Sequence, residues 1–184
     1  MSDQLRSARL RSGSLVLRPW LPGDLPSLLD AYRDPAIRAG SRAPVEDEAA
    51  AERWLRDQEE GRGSGLRHSF AVVDTEFGGR PVGNVVLVRT APGSEAAEVG
   101  YWTAAPARGR GVAPRALEAL TDWAFTVFAD DGLVTLDLLH QVDNAASCRV
   151  AQKAGYGFAE VLPARPPWPR EGHRHVRRAA GPGR

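Results

Sequence analysis

Apolar and polar residues alternate loosely from Ser14 to Trp20, which is the period of a strand with one buried face. From Pro22 to Arg33 the period changes. Leu25, Leu28, Leu29 and Tyr32 fall on one side of a helix, and Asp34-Pro35 ends it. Residues 45 to 60 predict a second, acid-rich helix that packs through Ala49, Trp54 and Leu55, with GRGSG at 61 to 65 as its stop. Three strands are predicted next, Ser69 to Asp74, Val82 to Thr90 and Ala96 to Thr103, and Phe77-Gly78-Gly79-Arg80 is a hairpin signal between the first two. A helix from about Gly111 to Ala129 repeats Ala116, Leu120, Trp123, Val127 and Phe128 at helical spacing. Leu133 to Leu139 is almost continuously apolar, as in a strand buried on both faces. Asn144 to Ala154 reads as a short helix stopped by Gly155, followed by a strand from Phe158 to Leu162. His173 to Arg178 reads as a last edge strand.

The order is β-α-α-β-β-β-α-β-α-β, with that final β. A hairpin-built antiparallel half precedes one βαβ crossover between the strands near 100 and 136, so the sheet is mixed and the class is α+β (α/β mixed). The chain has 184 residues with no internal repeat or long linker, which fits one domain spanning 1–184.

Composition narrows the functions. A hydrophobic fraction of 42% and a charged fraction of 26% are ordinary for a globular protein, and a net charge of +1 provides no field towards nucleic acid or membrane. The basic residues are 23 Arg and one Lys, Lys153. Residues 161 to 184 hold six Arg and one Glu, but only Trp168 to stack on a base, so nucleic-acid binding ranks last. Cys148 is the single cysteine, which rules out an intramolecular disulfide and a cysteine-based metal cluster. His68, His140, His173 and His175 lack the HExxH spacing, so no metal is expected. Without an apolar signal core or a membrane-length run, a cytoplasmic enzyme or binding protein is expected.

Residues 98 to 120, EVGYWTAAPARGRGVAPRALEAL, start as a strand and finish as a helix, with Pro106 to Gly111 between. The first N–H groups of a helix have no partner within it, and the dipole there favours anions. Gly109 and Gly111 carry no Cβ and Ala113 is small, so a pyrophosphate can approach the backbone closely. Arg108 and Arg110 can add charge-assisted bonds at the rim. Pro114 is no obstacle in a first turn. The GxxxxGK[ST] phosphate loop is absent, and a dinucleotide fingerprint fails because Pro114 stands where its third glycine belongs. A plain surface turn is the other reading of this hexapeptide.

Arg108-Gly109-Arg110-Gly111-Val112-Ala113 resembles the R/Q-x-x-G-x-G/A acyl-CoA signature of the GNAT superfamily of N-acetyltransferases. It follows the strand Glu98-Val99-Gly100-Tyr101-Trp102, as in that family. Asn144-Ala145-Ala146-Ser147, leading into Val150 to Tyr156, is similar to the family's N-x-x-S…V-x-E-K-x-G-F segment in its RimJ/RimL form. Leu15 to Trp20 resembles that branch's first strand. The likeness spans about residues 14–162, leaving 163–184 as a Pro/Arg-rich C-terminal segment.

The resemblance implies a central mixed sheet of six to seven strands, flanked by about four helices and splayed between the strands near 99–103 and 133–139. It implies acetyl-CoA as cosubstrate, with the pyrophosphate on amides around Val112 to Arg115 and the pantetheine along Val99 to Trp102, including Val99 and Tyr101. Asn144 would cap its helix and bind a pantetheine amide. Glu98 is the candidate base, with Glu95 as alternative. An edge carboxylate in solvent is the other reading of Glu98. Many members place a tyrosine acid seven residues after the Asn, where this chain has Ala151, so Ser147 is the candidate acid. N-terminal hydrogen bonding within its helix is the competing role of Ser147. Tyr156 suits the core. His140 lines the acceptor pocket or is structural, and His173 and His175 belong to a solvated edge strand. Trp20, Trp54 and Trp102 wall the acceptor site or pack the core. The acidic helix, with Glu46, Asp47, Glu48, Glu52, Asp57, Glu59 and Glu60, attracts a cationic acceptor or is a wet face. The implied acceptor is a small-molecule or peptide amine, and the chain a monomer or homodimer. A silent acyl-CoA sensor with the same fold is the alternative function.

Overall fold

The computed structural model describes residue 5 and residues 7–41, 43–166 and 169–180; Trp168 lies outside them. Eight strands form one sheet: β1 (Leu10–Ser12), β2 (Leu15–Arg18), β3 (Arg67–Asp74), β4 (Pro81–Arg89), β5 (Ala96–Thr103), β6 (Thr135–Gln141), β7 (Gly157–Leu162) and β8 (Gly172–Arg178). Five α-helices have described bounds: α1 (Leu25–Tyr32), α2 (Pro35–Gly40), α3 (Glu48–Ser64), α4 (Val112–Val127) and α5 (Ala145–Lys153). Strand order is β1-β2-β3-β4-β5-β6-β8-β7. Among the described residues only β5 and β6 pair in parallel, joined by the α4 crossover, and the other pairs are antiparallel. The mixed α+β class therefore holds, with slightly more elements than predicted.

The extra elements have local causes. β1 folds back on β2 through Gly13-Ser14. Asp34-Pro35 does not merely end α1. The Asp34 carboxylate accepts the Ala36 N–H at 2.8 Å and Pro35 occupies the first turn, so the pair starts α2. Nor does GRGSG stop α3 at residue 60. The helix continues to Ser64 because Arg62 is buried, donating to the Ser69 carbonyl with its guanidinium 5.3 Å from the Phe70 ring. Packing there overrides the low helix propensity of glycine. The inward residues of α3 are Ala51, Gln58 and Arg62, whereas Ala49 is exposed and the acidic residues face solvent.

One correction changes the picture more. His173 to Arg178 is no edge strand: β8 lies between β6 and β7, paired with β6 from Thr135↔Arg178 to Gln141↔Gly172. β7 is the edge. His175 is accordingly 1% exposed rather than solvated.

Two apolar cores sandwich the sheet. Leu117, Leu120 and Ala124 of α4 pack with Leu17, Phe70, Leu87, Val99, Leu136 and Leu138. Leu28 and Tyr32 of α1, Ile37 and Ala51 pack with Trp20 and Ala71. Tyr156 belongs to the first core, its hydroxyl 2.6 Å from Thr121 Oγ1, and burial pushes its pKa up to about 12.

His68 is fully buried, its ring 5.2 Å from that of Trp123 and 5.5 Å from that of Phe128. Burial pulls its pKa down to about 4, the Gly65 carbonyl opposing and Arg62 and Arg89 reinforcing. The unfolded chain therefore binds the proton first, and stability is complete above about pH 6.5 and falls with pH towards 4. Replacing His68→Phe should remove this contribution, at most about 1.4 kcal/mol per pH unit, from the acid limb of urea-unfolding stability measured between pH 6.5 and 4. An identical acid limb in the variant would refute it.

Candidate active site

β5 and β6 pair over four rungs, Ala96↔Thr135 to Val99↔Leu138, and then part. Beyond Val99, β5 remains on β4 as far as Thr103↔Gly83; beyond Leu138, β6 remains on β8 as far as Gln141↔Gly172. Among the described residues no ladder pair joins 100–103 to 139–141. Backbone edges thus face each other across a wedge, able to hydrogen-bond a guest chain as a strand would.

The turn from β5 into α4 stands beside this wedge. Gly109 has φ 76° and Gly111, the residue capping α4, has φ 73°, both in the left-handed region that glycine tolerates. A Cβ on Gly109 would meet nothing within 4 Å, and on Gly111 nothing nearer than Arg115 Nε at 4.0 Å. The helix mouth has no side-chain cap from its N-cap residue, Gly111. Val112 anchors the first turn in the core, leaving its amide and that of Ala113 without intrahelical partners.

The arginines are arranged differently from the sequence reading. Arg108 pairs with Asp34 at 2.5 Å and donates from Nε to the Thr103 carbonyl at 3.1 Å. Arg110 lies 3.6 Å from Asp74 and 4.6 Å from the centre of the Phe77 ring. Both tie the turn to the fold. The Ala36 amide, with Arg108 adding, holds the Asp34 carboxyl below its usual range. Arg115, which the sequence reading passed over as a side chain, is the cation folded over the mouth, donating from Nε to the Gly111 carbonyl at 3.2 Å. Its position one turn above Gly111 was the available signal.

Where the wedge opens, the Tyr101 hydroxyl lies 2.9 Å from Ser147 Oγ. Ser147 is buried in the first turn of α5, its N–H donating to Asn144 Oδ1 at 3.1 Å. Burial raises the Tyr101 pKa, with the Ser147 bond opposing, so the phenol keeps its proton at neutral pH. The sequence reading had used only the Tyr101 backbone. Ala151 is fully buried in the core, so α5 supplies no phenol and β5 does.

Glu98 sits one rung before the parting, half-buried and level with Asp137. Strand alternation puts it on the opposite face from Val99 and Tyr101. Arg174 holds Asp137 at 3.1 and 3.2 Å and also reaches Glu160 at 2.8 Å. The Glu95 side chain is exposed while its carbonyl accepts the Val134 and Thr135 amides. The Trp20 ring lies 5.2 Å from Trp54 and 5.9 Å from Trp102, in the second core. His140 ends β6 at the wedge and donates from Nδ1 to the Gln141 carbonyl at 2.8 Å.

A mixed sheet that parts beside a glycine-capped helix mouth is the architecture of acyl-CoA-dependent acetyltransferases. The acetyltransferase (GNAT) domain profile matches residues 14–157, and the chain belongs to that family. Solved structures agree on the fold. Mycobacterium smegmatis RimJ, in complex with a CoA-disulfide, superposes with a TM-score of 0.78 at 19% identity over 94% of this chain and 86% of its own. A Salmonella typhimurium acetyltransferase that modifies the N-terminal serine of a 50S ribosomal subunit protein gives 0.75 at 18%, over 92% and 97%. The microcin self-immunity acetyltransferase MccE, in complex with acetyl-CoA and AMP, gives 0.74 at 15%, over 91% and 93%. No curated protein matches the chain significantly in sequence. No helix among the described residues is long and apolar enough to cross a membrane.

Asn144→Ala removes the acceptor of the Ser147 amide. It should cost about 1 kcal/mol in denaturant unfolding, and Asn144→Asp, which keeps the acceptor, should recover most of it. Equal losses in both variants would contradict the capping role.

Proposed function

We propose that the chain is an acetyl-CoA-dependent N-acetyltransferase that acylates a primary amine, on a protein N-terminus or a small molecule, by direct attack in a ternary complex. The observation that carries this reading is the uncapped α4 mouth opening beside the wedge. The first-turn amides of α4 donate to a pyrophosphate, aided by the helix dipole, with Arg115 as the nearby cation. The unpaired edge of β5 takes the pantetheine amides and directs an N–H at the reacting carbonyl. Structures of similar fold in complex with a CoA-disulfide and with acetyl-CoA support the choice of cosubstrate.

Acetyl-CoA supplies the thioester. The amine attacks the carbonyl carbon as its neutral form, the C–N bond forms, the C–S bond breaks, and a proton leaves the nitrogen. Glu98 takes that proton, directly or through water, from the face opposite Tyr101. A protein N-terminal amine of pKa about 7.7–8.0 needs only mild help, less than a lysine near 10.4. Ser147 passes its proton to the departing thiolate, whose own pKa is about 8.5, as the Tyr101 phenol replaces it through their hydrogen bond. Tyr101 then regains a proton from solvent, and Glu98 releases to solvent the one taken from the amine. Ala151 in the usual tyrosine position favours the silent sensor as the second reading; the hydroxyl pair answers that deficit.

Thiol release from acetyl-CoA, measured across N-terminal peptides, polyamines and aminoglycosides, separates the two. Turnover with any acceptor supports the enzyme, and none with all supports the sensor. CoA at 100 times its Kd should stabilise the protein by about 2.7 kcal/mol, read as a rise in melting temperature. Gly111→Glu should abolish that rise by putting bulk and negative charge in the mouth, and a full response in the variant would overturn the site. Glu98→Gln should lower kcat by roughly 100-fold or more while leaving the CoA-induced shift intact, whereas an unchanged rate would remove Glu98 from the chemistry.

A further inference from the structure

His173 and His175 lie two residues apart on β8, so both rings project from one face of the sheet. The register His140↔His173 brings the end of β6 to the same face. α5 covers that face, and its Cys148 Sγ lies 3.3 Å from His173 Nδ1 and 3.5 Å from His140 Nε2. One donor atom from each of His140, Cys148, His173 and His175 falls within 4.8 Å of all the others. The sequence spacing linked none of these four, since it takes an internal β8 to assemble them.

Hydrogen bonding alone does not satisfy this group. Among the described residues neither ring nitrogen of His175 has a hydrogen-bond partner of normal geometry, although the residue is 1% exposed. The Tyr156 backbone is near enough to favour its charged form, against burial, which dominates and lowers the pKa. His140 is fixed as its Nδ1–H tautomer by the Gln141 carbonyl, so its Nε2 presents a lone pair towards Cys148. The Cys148 thiol can serve His140 and His173, donating to one and accepting from the other, but this leaves His175 without a partner in the same cluster. A buried polar group without a partner is a standing cost unless something else completes it.

A metal ion completes all four at once. With Zn–N near 2.0–2.1 Å and Zn–S near 2.3 Å, the donors of a tetrahedral site stand about 3.3–3.6 Å apart. The two Cys148–histidine separations already have that length, and small side-chain rotations close the rest. The bond from His140 Nδ1 to a backbone carbonyl is the outer-shell support that orients metal-ligating histidines. Phe158 walls the cluster, its ring 5.3 Å from His173 and 5.7 Å from His175. We propose that His140, Cys148, His173 and His175 form a zinc(II) site. Zinc takes the thiolate and three neutral imidazoles, and the thiol proton passes to solvent. Four protein donors leave no open position, which makes the site structural: it staples α5 to β6 and β8. It stands independently of any acetyl transfer.

The test uses the full chain without a histidine tag, reduced and stripped with a chelator, then loaded with zinc(II) or, as a spectroscopic probe, cobalt(II). One zinc per chain should survive dialysis and raise the melting temperature by at least about 4 °C. Cobalt(II) should give the intense visible bands of a tetrahedral site together with a near-ultraviolet thiolate-to-metal charge-transfer band. Cys148→Ser should abolish the charge-transfer band and weaken zinc binding at least about 100-fold. His173→Asn, at a half-buried position, should weaken zinc binding while leaving the metal-free melting temperature within a few degrees. Loss of zinc by the unaltered chain on dialysis, or an unchanged cobalt spectrum in Cys148→Ser, overturns the proposal.

Discussion

Everything around the cleft depends on where β5 and β6 stop sharing hydrogen bonds. Four parallel rungs hold them together, and beyond Val99 and Leu138 each keeps only its outer neighbour. Backbone N–H and C=O groups strongly demand partners, so a sheet that parts must have firm outer pairings. Gly83 shows how closely β4 follows β5: a Cβ there would stand 2.7 Å from the Trp102 carbonyl. On the other side β8 accompanies β6 along its whole length, which an edge strand could not do while also pairing with β7. The internal position of β8 is therefore what allows the wedge to stay open.

In the proposed function, the turn at the mouth of α4 attracts an anion without a strong local field. Its two flanking arginines are spent on Asp34 and Asp74, and the whole chain carries a net charge of only +1. What remains is directional: amides at the helix start, the dipole behind them, and Arg115 close to Gly111. Asp34 connects this turn to the opposite face of the sheet, since it starts α2 and holds Arg108 at once. Space is open around both glycines while the arginines tie the turn to the fold.

Much of this was legible from the sequence because periodicity reports which residues of an element are buried. The strands β3 to β5, the helix α4 and the parallel crossover were legible in that way, whereas the glycines and the Asn144 cap were legible from residue type at a helix start. Periodicity does not report which strand lies beside which. His173-x-His175 looks the same on an edge strand as on an internal one, so the burial of His175 could not be read. The partners of Arg108 and Arg110 are distant in the chain and depend on how α2 and β3 are placed. Glycine propensity alone ends α3 near residue 60, but Arg62 gains a buried carbonyl and an aromatic face by continuing it. The Tyr101–Ser147 bond spans from β5 to α5 and exists only once the wedge has a definite width.

Three consecutive demands meet in the first turn and a half of α5. Asn144 fixes where the helix begins, Ser147 joins Tyr101, and Cys148 meets the histidines of β6 and β8. Neighbouring residues on a helix point about 100° apart, so Ser147 and Cys148 constrain its rotation from two directions. A rotation that moved Cys148 off the histidines would also swing Ser147 away from the phenol. A zinc ion at Cys148 would hold the helix against that rotation without touching any reacting atom. Ala151 packs into the core instead of contributing a hydroxyl, so the proposed mechanism assigns the leaving thiolate to the Tyr101–Ser147 pair, whose spacing is set by how firmly α5 is seated.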